Sequence, residues 1–154
     1  MKIGFLTDKN GYRAPIHPES IEKYSLDVHL EKDIFEYLKY SESIQNNVKT
    51  ISKVSDLDIV ACVENIEDKK IKDLKEGAIL IGIFDFEKIE DIKNLRPDIK
   101  ILSFFKLPRI SRAQNLDALS SQANLLGYAS VLRAAKETSD CLLYTSDAAD
   151  EGVR

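Results

Sequence analysis

Leu57-Asp58-Ile59-Val60-Ala61-Cys62-Val63, Ala78-Ile79-Leu80-Ile81-Gly82-Ile83-Phe84 and Ile99-Lys100-Ile101-Leu102-Ser103-Phe104-Phe105 are three apolar runs separated by charged segments. Near-continuous apolar runs of this length read as strands buried on both faces. Between the first two, residues 66–74 are charged, with Ile71 and Leu74 on one face, as in a solvated helix. Between the second and third, residues 86–95 set Ile89, Ile92 and Leu95 along one helical stripe. Pro97 and Pro108 punctuate the third run on either side. The order is βαβαβ with short connections, which implies a parallel sheet covered by helices and joined by right-handed crossovers.

Toward the N-terminus, Lys2–Leu6 reads as a strand that runs into the turn cluster Asp8-Lys9-Asn10-Gly11. His17-Pro18-Glu19-Ser20 opens a short helix, with Pro18 tolerated in its first turn. Residues 26–30 alternate apolar and polar, a half-buried strand, and residues 33–40 carry Ile34, Phe35 and Leu38 at helical spacing. Residues 48–54 suit a short strand or a loop. Toward the C-terminus the pattern from Ser111 onward is one long helix, with Leu116, Leu119, Ala123 and Leu126 on a single stripe. Ser111 and Gln114 form an S-x-x-Q capping box that marks its start. A helix of about 25 residues exceeds the mean of about 11–12 and suits an element bridging to a second lobe. Gly127 costs about 1 kcal/mol relative to Ala in a helix, and a close packing contact would account for it. The expected fold is α/β, a Rossmann-like or flavodoxin-like parallel sheet with flanking helices, ending in a long inter-lobe helix. The expected organisation is an N-terminal lobe over 1–110 and a bridging helix over 111–140.

The last stretch, Cys141 to Arg154, continues none of these patterns. It resembles the in-frame translation of a transposase adapter used in shotgun DNA sequencing and is expected to be a non-native tail, outside the fold. Leaving it out turns 22 basic and 26 acidic residues into 21 and 23, the net charge of -4 into -2, and two cysteines into Cys62 alone. Such a chain has no electrostatic footprint for nucleic acid. It has no stretch near the roughly 18 apolar residues of a membrane span, no signal-peptide pattern, and no cysteine framework or C-x-x-C metal site. A reducing, cytosolic compartment is expected.

No G-x-G-x-x-G, Walker A, H-E-x-x-H or G-x-S-x-G motif occurs. His17, at a helix start, and His29, on a strand, offer little for a ligand or catalytic role. The pairs Glu67-Asp68 and Glu90-Asp91 lie on solvated helix faces. The informative stretch is Pro108–Asn124, which follows a strand's carboxyl end and opens a helix, the position where open α/β sheets place ligands. Arg109 and Arg112 sit where the helix dipole disfavours cations, and a nucleotide's phosphates or a carboxylate partner would relieve that. A plainer reading stands beside it: Gln114 caps, and Asp117 pairs with Arg112 or Arg109 on the surface for about 0–1 kcal/mol.

Residues 108–128, P-R-I-S-R-A-Q-N-L-D-A-L-S-S-Q-A-N-L-L-G-Y, resemble the signature of the α subunit of proton-translocating NAD(P) transhydrogenase. The resemblance runs from residue 1 to about 136 and is densest over Pro108–Ala135. Further upstream it rests on Met1-Lys2-Ile3-Gly4, Arg13-Ala14 and Pro18-Glu19. Where the family usually has a Lys-Glu pair after the first strand, Asp8-Lys9 stands here. The resemblance implies a two-lobed component that binds NAD(H), with a Gly-rich loop on its second lobe. It exchanges a hydride with NADP(H) on a partner component and assembles, as a homodimer, with that component and a membrane component. The expected setting is peripheral, on the cytoplasmic side of a bacterial inner membrane, with these residues themselves soluble. By the same resemblance Arg109, Gln114, Asp117 and Ser120 bind the cofactor at its nicotinamide end. Gln114 helps bring the two nicotinamides together, and Asp117 and Ser120 orient the carboxamide and the loop. No metal is implied.

Two other readings remain. Alanine dehydrogenase shares the two-lobe architecture and the arginine matched by Arg13, but needs a substrate-binding lysine and a catalytic histidine where Glu64 and Asp85 stand here. A carboxylate cannot hold a substrate carboxylate, nor act as a histidine-like acid–base near neutral pH without a large shift. Alternatively, the chain is a non-catalytic binding lobe or an inert fragment, since it ends before any Gly-rich loop.

Overall fold

The computed structural model describes residues 1–8, 13–23, 27–34, 48–108 and 110–138. Its contacts divide the chain into two units, Met1–Ser111 and Arg112–Arg154. The tail over 141–154 lies outside the described residues, as do Lys9–Gly11 of the turn cluster and most of the helix expected over 33–40, of which Asp33 and Ile34 are helical.

The first unit is built on six parallel strands: β1 (Lys2–Phe5), β2 (Asp27–Leu30), β3 (Lys49–Thr50), β4 (Ile59–Ala61), β5 (Ile79–Gly82) and β6 (Lys100–Ser103). Their spatial order is β3-β2-β1-β4-β5-β6. Gly4 lies opposite His29 on one side and Val60 on the other, Leu80 lies opposite both Val60 and Ile101, and every pairing is parallel. Helices α1 (Pro18–Lys23), α2 (Asp68–Lys72) and α3 (Phe86–Leu95) connect them. The three apolar runs are β4, β5 and β6, and the ambiguous residues 48–54 resolve into the two-residue β3 and an extended segment that reaches a 3₁₀ turn at Val54–Asp56.

Two hydrophobic clusters hold this unit together. The larger gathers Leu6, Leu57, Val60, Leu80 and Phe84 with Ile71 of α2 and Ile89 and Ile92 of α3. The smaller gathers Val28, Leu30, Ile34 and Val48, with Phe5 and Ile21 of α1 against it. Phe5 and Leu6 serve different clusters because successive residues of an extended chain point to opposite faces. Helices on both faces, with the reversal of strand order beside β1, are the doubly wound arrangement, and this order is that of the dinucleotide-binding type.

Strand and helix ends are pinned by side chains. The Asp85 carboxylate accepts from the Lys88 amide at 2.8 Å and caps α3. Arg96 donates through one nitrogen to the carbonyls of Lys72 and Leu74, each at 2.7 Å, where α2 ends with orphaned acceptors. Ser103 clips the ends of β5 and β6: its hydroxyl donates to the Phe84 carbonyl at 2.6 Å and accepts from the Phe84 amide at 3.0 Å.

Ser111–Leu116 is a 3₁₀ helix across the boundary of the two units, and in the second unit α4 spans Ala118–Glu137. The long helix therefore begins at Ala118 rather than Ser111, and the Ser111–Gln114 box is not its cap. Asp117 caps it instead. No residue of α4 is buried, and of the stripe Leu116, Leu119, Ala123 and Leu126 only Leu119 is half-buried. Nothing lies within 4 Å of a Cβ built on Gly127, so no close contact accounts for that glycine among the described residues.

Gly82 has a packing reason of its own. A Cβ there would sit 2.5 Å from Phe84 Cζ and 3.1 Å from the Cys62 carbonyl oxygen, and Phe84 is only 1% exposed. Gly82→Ala is expected to destabilise the protein by about 1–3 kcal/mol through overpacking. Urea denaturation of the two proteins measures it, and an unchanged midpoint is the contrary result.

Candidate functional site

Asp117 organises the stretch singled out by sequence. Its Oδ1 accepts from the Ser120 amide at 3.0 Å and its Oδ2 from the Ser120 hydroxyl at 2.6 Å. Its backbone carbonyl accepts from the Ser121 amide at 3.3 Å, the first turn of α4. Its backbone has φ −78° and ψ 80°, outside the helical region as an N-cap residue should be. Asp117 and Ser120 are therefore one hydrogen-bonded unit. Gln114 is exposed, on the preceding 3₁₀ helix, and its carbonyl accepts from the Asp117 amide at 3.2 Å. Arg109 lies outside the described residues. Of the four expected site residues, the structure brings Asp117 and Ser120 together and links Gln114 to Asp117 through the backbone. This geometry does not test their roles.

A second polar constellation lies in the first unit, and the sequence reading missed it. At the carboxyl end of β1, Asp8 is 5% exposed. At the carboxyl end of the neighbouring β4 is Glu64. Arg13 joins the two. Its Nε and Nη2 donate to Asp8 Oδ2 at 3.3 and 3.0 Å, and its Nη1 and Nη2 donate to Glu64 Oε1 and Oε2 at 3.2 and 2.8 Å. Among the described residues, Asp8 Oδ1 is buried without a hydrogen-bond partner. Contact with the Glu64 carboxylate outweighs burial and, with Asp8, holds the Arg13 pKa above its ordinary value. At the end of β2, Glu31 accepts from the Thr7 amide and hydroxyl at 2.9 and 2.8 Å and from Lys70 of α2. Burial pushes the Glu31 carboxyl up, but the hydrogen bonds from Lys70 and Thr7 together hold it below the usual range. No run of adjacent residues announces either cluster, since Asp8, Arg13 and Glu64 meet only once β1 and β4 pair.

The other polar candidates have structural surroundings. Asp85 is the α3 cap. His17 is exposed, and the buried His29 Nε2 lies 3.3 Å from Asp27 Oδ1 without a hydrogen bond among the described residues. Cys62 is buried, and burial pushes its thiol up to about 12, so it is a packing residue rather than a nucleophile. Among the described residues no group of three or more His, Cys, Asp or Glu is arranged for a metal, and no helix is long and apolar enough to cross a membrane.

Known proteins place the chain. Over 139 residues it is 35% identical to NAD(P) transhydrogenase subunit alpha of Haemophilus influenzae, covering 84% of this chain and 27% of that one. Over 151 residues it is 34% identical to the first part of the NAD(P) transhydrogenase subunit alpha of Rickettsia prowazekii, covering 87% of this chain and 39% of that one. The chain is a homologue of the NAD(P) transhydrogenase α subunit. It spans well under half the length of these transhydrogenase relatives. Among solved structures it resembles a transhydrogenase from Sinorhizobium meliloti, with a TM-score of 0.79 at 25% identity over 92% of this chain and 46% of that one. An L-alanine dehydrogenase shares the fold, with a TM-score of 0.57 at 14% identity over 72% of this chain and 35% of that one. No family model matches this transhydrogenase homologue.

Glu31 makes acid stability testable. A carboxyl held low in the folded state contributes stability that is present above its unfolded pKa of about 4.3 and is lost as pH falls through the folded value. The protein is therefore expected to lose stability below about pH 4, and Glu31→Gln to lose it on a shallower slope. Denaturation midpoints measured across pH 2–6 compare the two, and equal slopes would count against the assignment.

Proposed function

We propose that this chain belongs to the NAD(H)-binding component of a proton-translocating NAD(P) transhydrogenase and carries the loop that lies beside the nicotinamide. The observation that carries the reading is the 35% identity to a transhydrogenase α subunit over 84% of the chain. The site's own chemistry supports it. Gln114 offers an exposed amide with both a donor and an acceptor, the complement of a carboxamide. Asp117 and Ser120 tie off the helix start so that this amide is presented from a fixed backbone. Arg109 completes the set as the cationic member. Bound NAD(H) supplies the hydride; the residues of this chain bind, orient and exclude water. NADP(H) belongs to a partner component, and a membrane component couples the exchange to protons. The α component works as a homodimer, peripheral to the cytoplasmic side of the membrane.

The strand order of the first unit is that of dinucleotide-binding folds, but fold alone does not assign a site. The turn after β1 carries Thr7 and the buried Asp8 in place of a Gly-rich loop, and a carboxylate there repels a pyrophosphate. Asp8 therefore gives no support to a phosphate site at that turn. Glu64 in an ion pair and Asp85 at a helix cap give no support to an amino-acid dehydrogenase reading.

Two measurements test this function. In a full-length subunit assembled with its partners, Gln114→Ala and Asp117→Asn are expected to slow hydride transfer by roughly 10- to 100-fold. The thermal midpoint of Asp117→Asn should fall only slightly, because asparagine still caps through its one oxygen. Unaltered transfer in both variants would remove the assigned roles. Residues 1–140 alone are expected to bind NAD more weakly than micromolar and to show no activity; calorimetry giving micromolar affinity would contradict this.

A further inference from the structure

The crossover from β3 to β4 has only residues 51–58 to pass over β2 and β1, where parallel strands are usually joined by a dozen or more residues and a helix. It is extended apart from the 3₁₀ turn at Val54–Asp56, and it is pinned at both ends. The Ile51 amide donates to the Leu30 carbonyl at 2.9 Å and the Asp58 amide to the Lys2 carbonyl at 3.0 Å. Leu57 packs so closely on Gly4 that a Cβ there would overlap it. A segment this short covers β1 but leaves the adjoining face of β2 and β3 open. The result is a cavity of about 260 Å³ toward the amino ends of the strands, the opposite end of the sheet from Arg13. Its wall is cationic. Lys2, Lys49 and Lys53 line it with one carboxylate among the described residues, Asp56. Asp27 pairs with Lys49 at 2.7 Å, so these five charged side chains still leave one positive charge in excess, in a chain of net charge -4. His29, in register with Gly4 and Lys49, forms the wall on the sheet side. Its side chain is 12% exposed, and its buried Nε2 has no hydrogen-bond partner among the described residues. A buried polar atom left unpaired is costly, and a guest that brings a partner relieves it.

We propose that this cavity is a seat for a phosphate group, carried by free phosphate or by a small phosphomonoester. Lys2, Lys49 and Lys53 supply the charge, and His29 and Ser52 the hydrogen bonds. Lysine binds phosphate as a point charge, whereas the planar fork that favours a carboxylate belongs to arginine, and no arginine lines the cavity among the described residues. The volume falls short of the roughly 300–1,000 Å³ of pockets that take drug-sized ligands, which restricts the guest to a small anion. The walls are set by backbone hydrogen bonds of the crossover, so little ordering is left for the guest to impose. This site stands apart from Gln114, Asp117 and Ser120, and its failure would leave their roles untouched.

The chain has two histidines, His29 in the cavity wall and the exposed His17 outside it, so the ring signals in an NMR titration of the full chain read the site directly. At fixed pH and ionic strength, inorganic phosphate is expected to move the His29 signals saturably, beyond any effect of chloride, and to leave those of His17 still. Glycerol phosphate repeats the titration: the same saturation extends the seat to phosphomonoesters, and no response confines it to free phosphate. Lys53 is exposed, so Lys53→Ala is expected to keep its Tm in phosphate-free buffer while binding phosphate about 10-fold more weakly. Lys53→Gln keeps most of the stem and should lose as much, whereas Lys93→Ala, exposed on α3, should bind as the wild type does. His29 signals that fail to saturate, that move equally in chloride, or an affinity unchanged in both Lys53 variants would each overturn the proposal.

Discussion

The pairing of β1 with β2 on one side and β4 on the other places everything else in the first unit. Parallel neighbours cannot be joined by a tight hairpin, so each strand must be followed by a crossover. Crossovers of one hand lay helices on both faces only if the chain changes direction across the sheet. That change falls between β1 and β4. It brings the carboxyl ends of two strands distant in sequence side by side. Polar groups gathered there satisfy one another, which is why Arg13 spans from Asp8 to Glu64 and Lys70 reaches Glu31.

The central sheet was legible because burial on both faces leaves an unambiguous trace. Ile59–Ala61, Ile79–Gly82 and Lys100–Ser103 all fall inside apolar runs. The edge was harder to read: β3 is two exposed residues, Lys49 and Thr50, and a strand with neither face buried has no pattern to show. The start of α4 was misread for a different reason. Ser111 and Gln114 have the spacing of a capping box, but so does any serine three residues before a glutamine. Asp117 competes for the same task with a charged acceptor that engages both the amide and the hydroxyl of Ser120. A charge-assisted acceptor is the stronger of the two, so the α-helix begins after Asp117 and the preceding turn tightens to 3₁₀.

The candidate site divides along the same line. The loop residues Gln114, Asp117 and Ser120 lie close together in sequence, and a motif can display them. The Arg13 constellation spans residues 8 to 64 and exists only in the folded sheet. Pattern reading therefore finds sites built on one connection and misses sites built across strands.

The strand order and the chemistry at its reversal point toward different ligands, and the chemistry decides. An order of 3-2-1-4-5-6 elsewhere accompanies a pyrophosphate seated on glycines and helix dipoles. Here the carboxyl ends of β1 and β4 carry a buried aspartate, one arginine and a second carboxylate. A dinucleotide brings two more negative charges. Bringing them beside Asp8 in a partly buried setting costs Coulomb energy. The polar groups at this end of the sheet are thus engaged with one another. The loop leading into α4 is built differently, from one short connection, with Gln114 exposed and Asp117 held by Ser120.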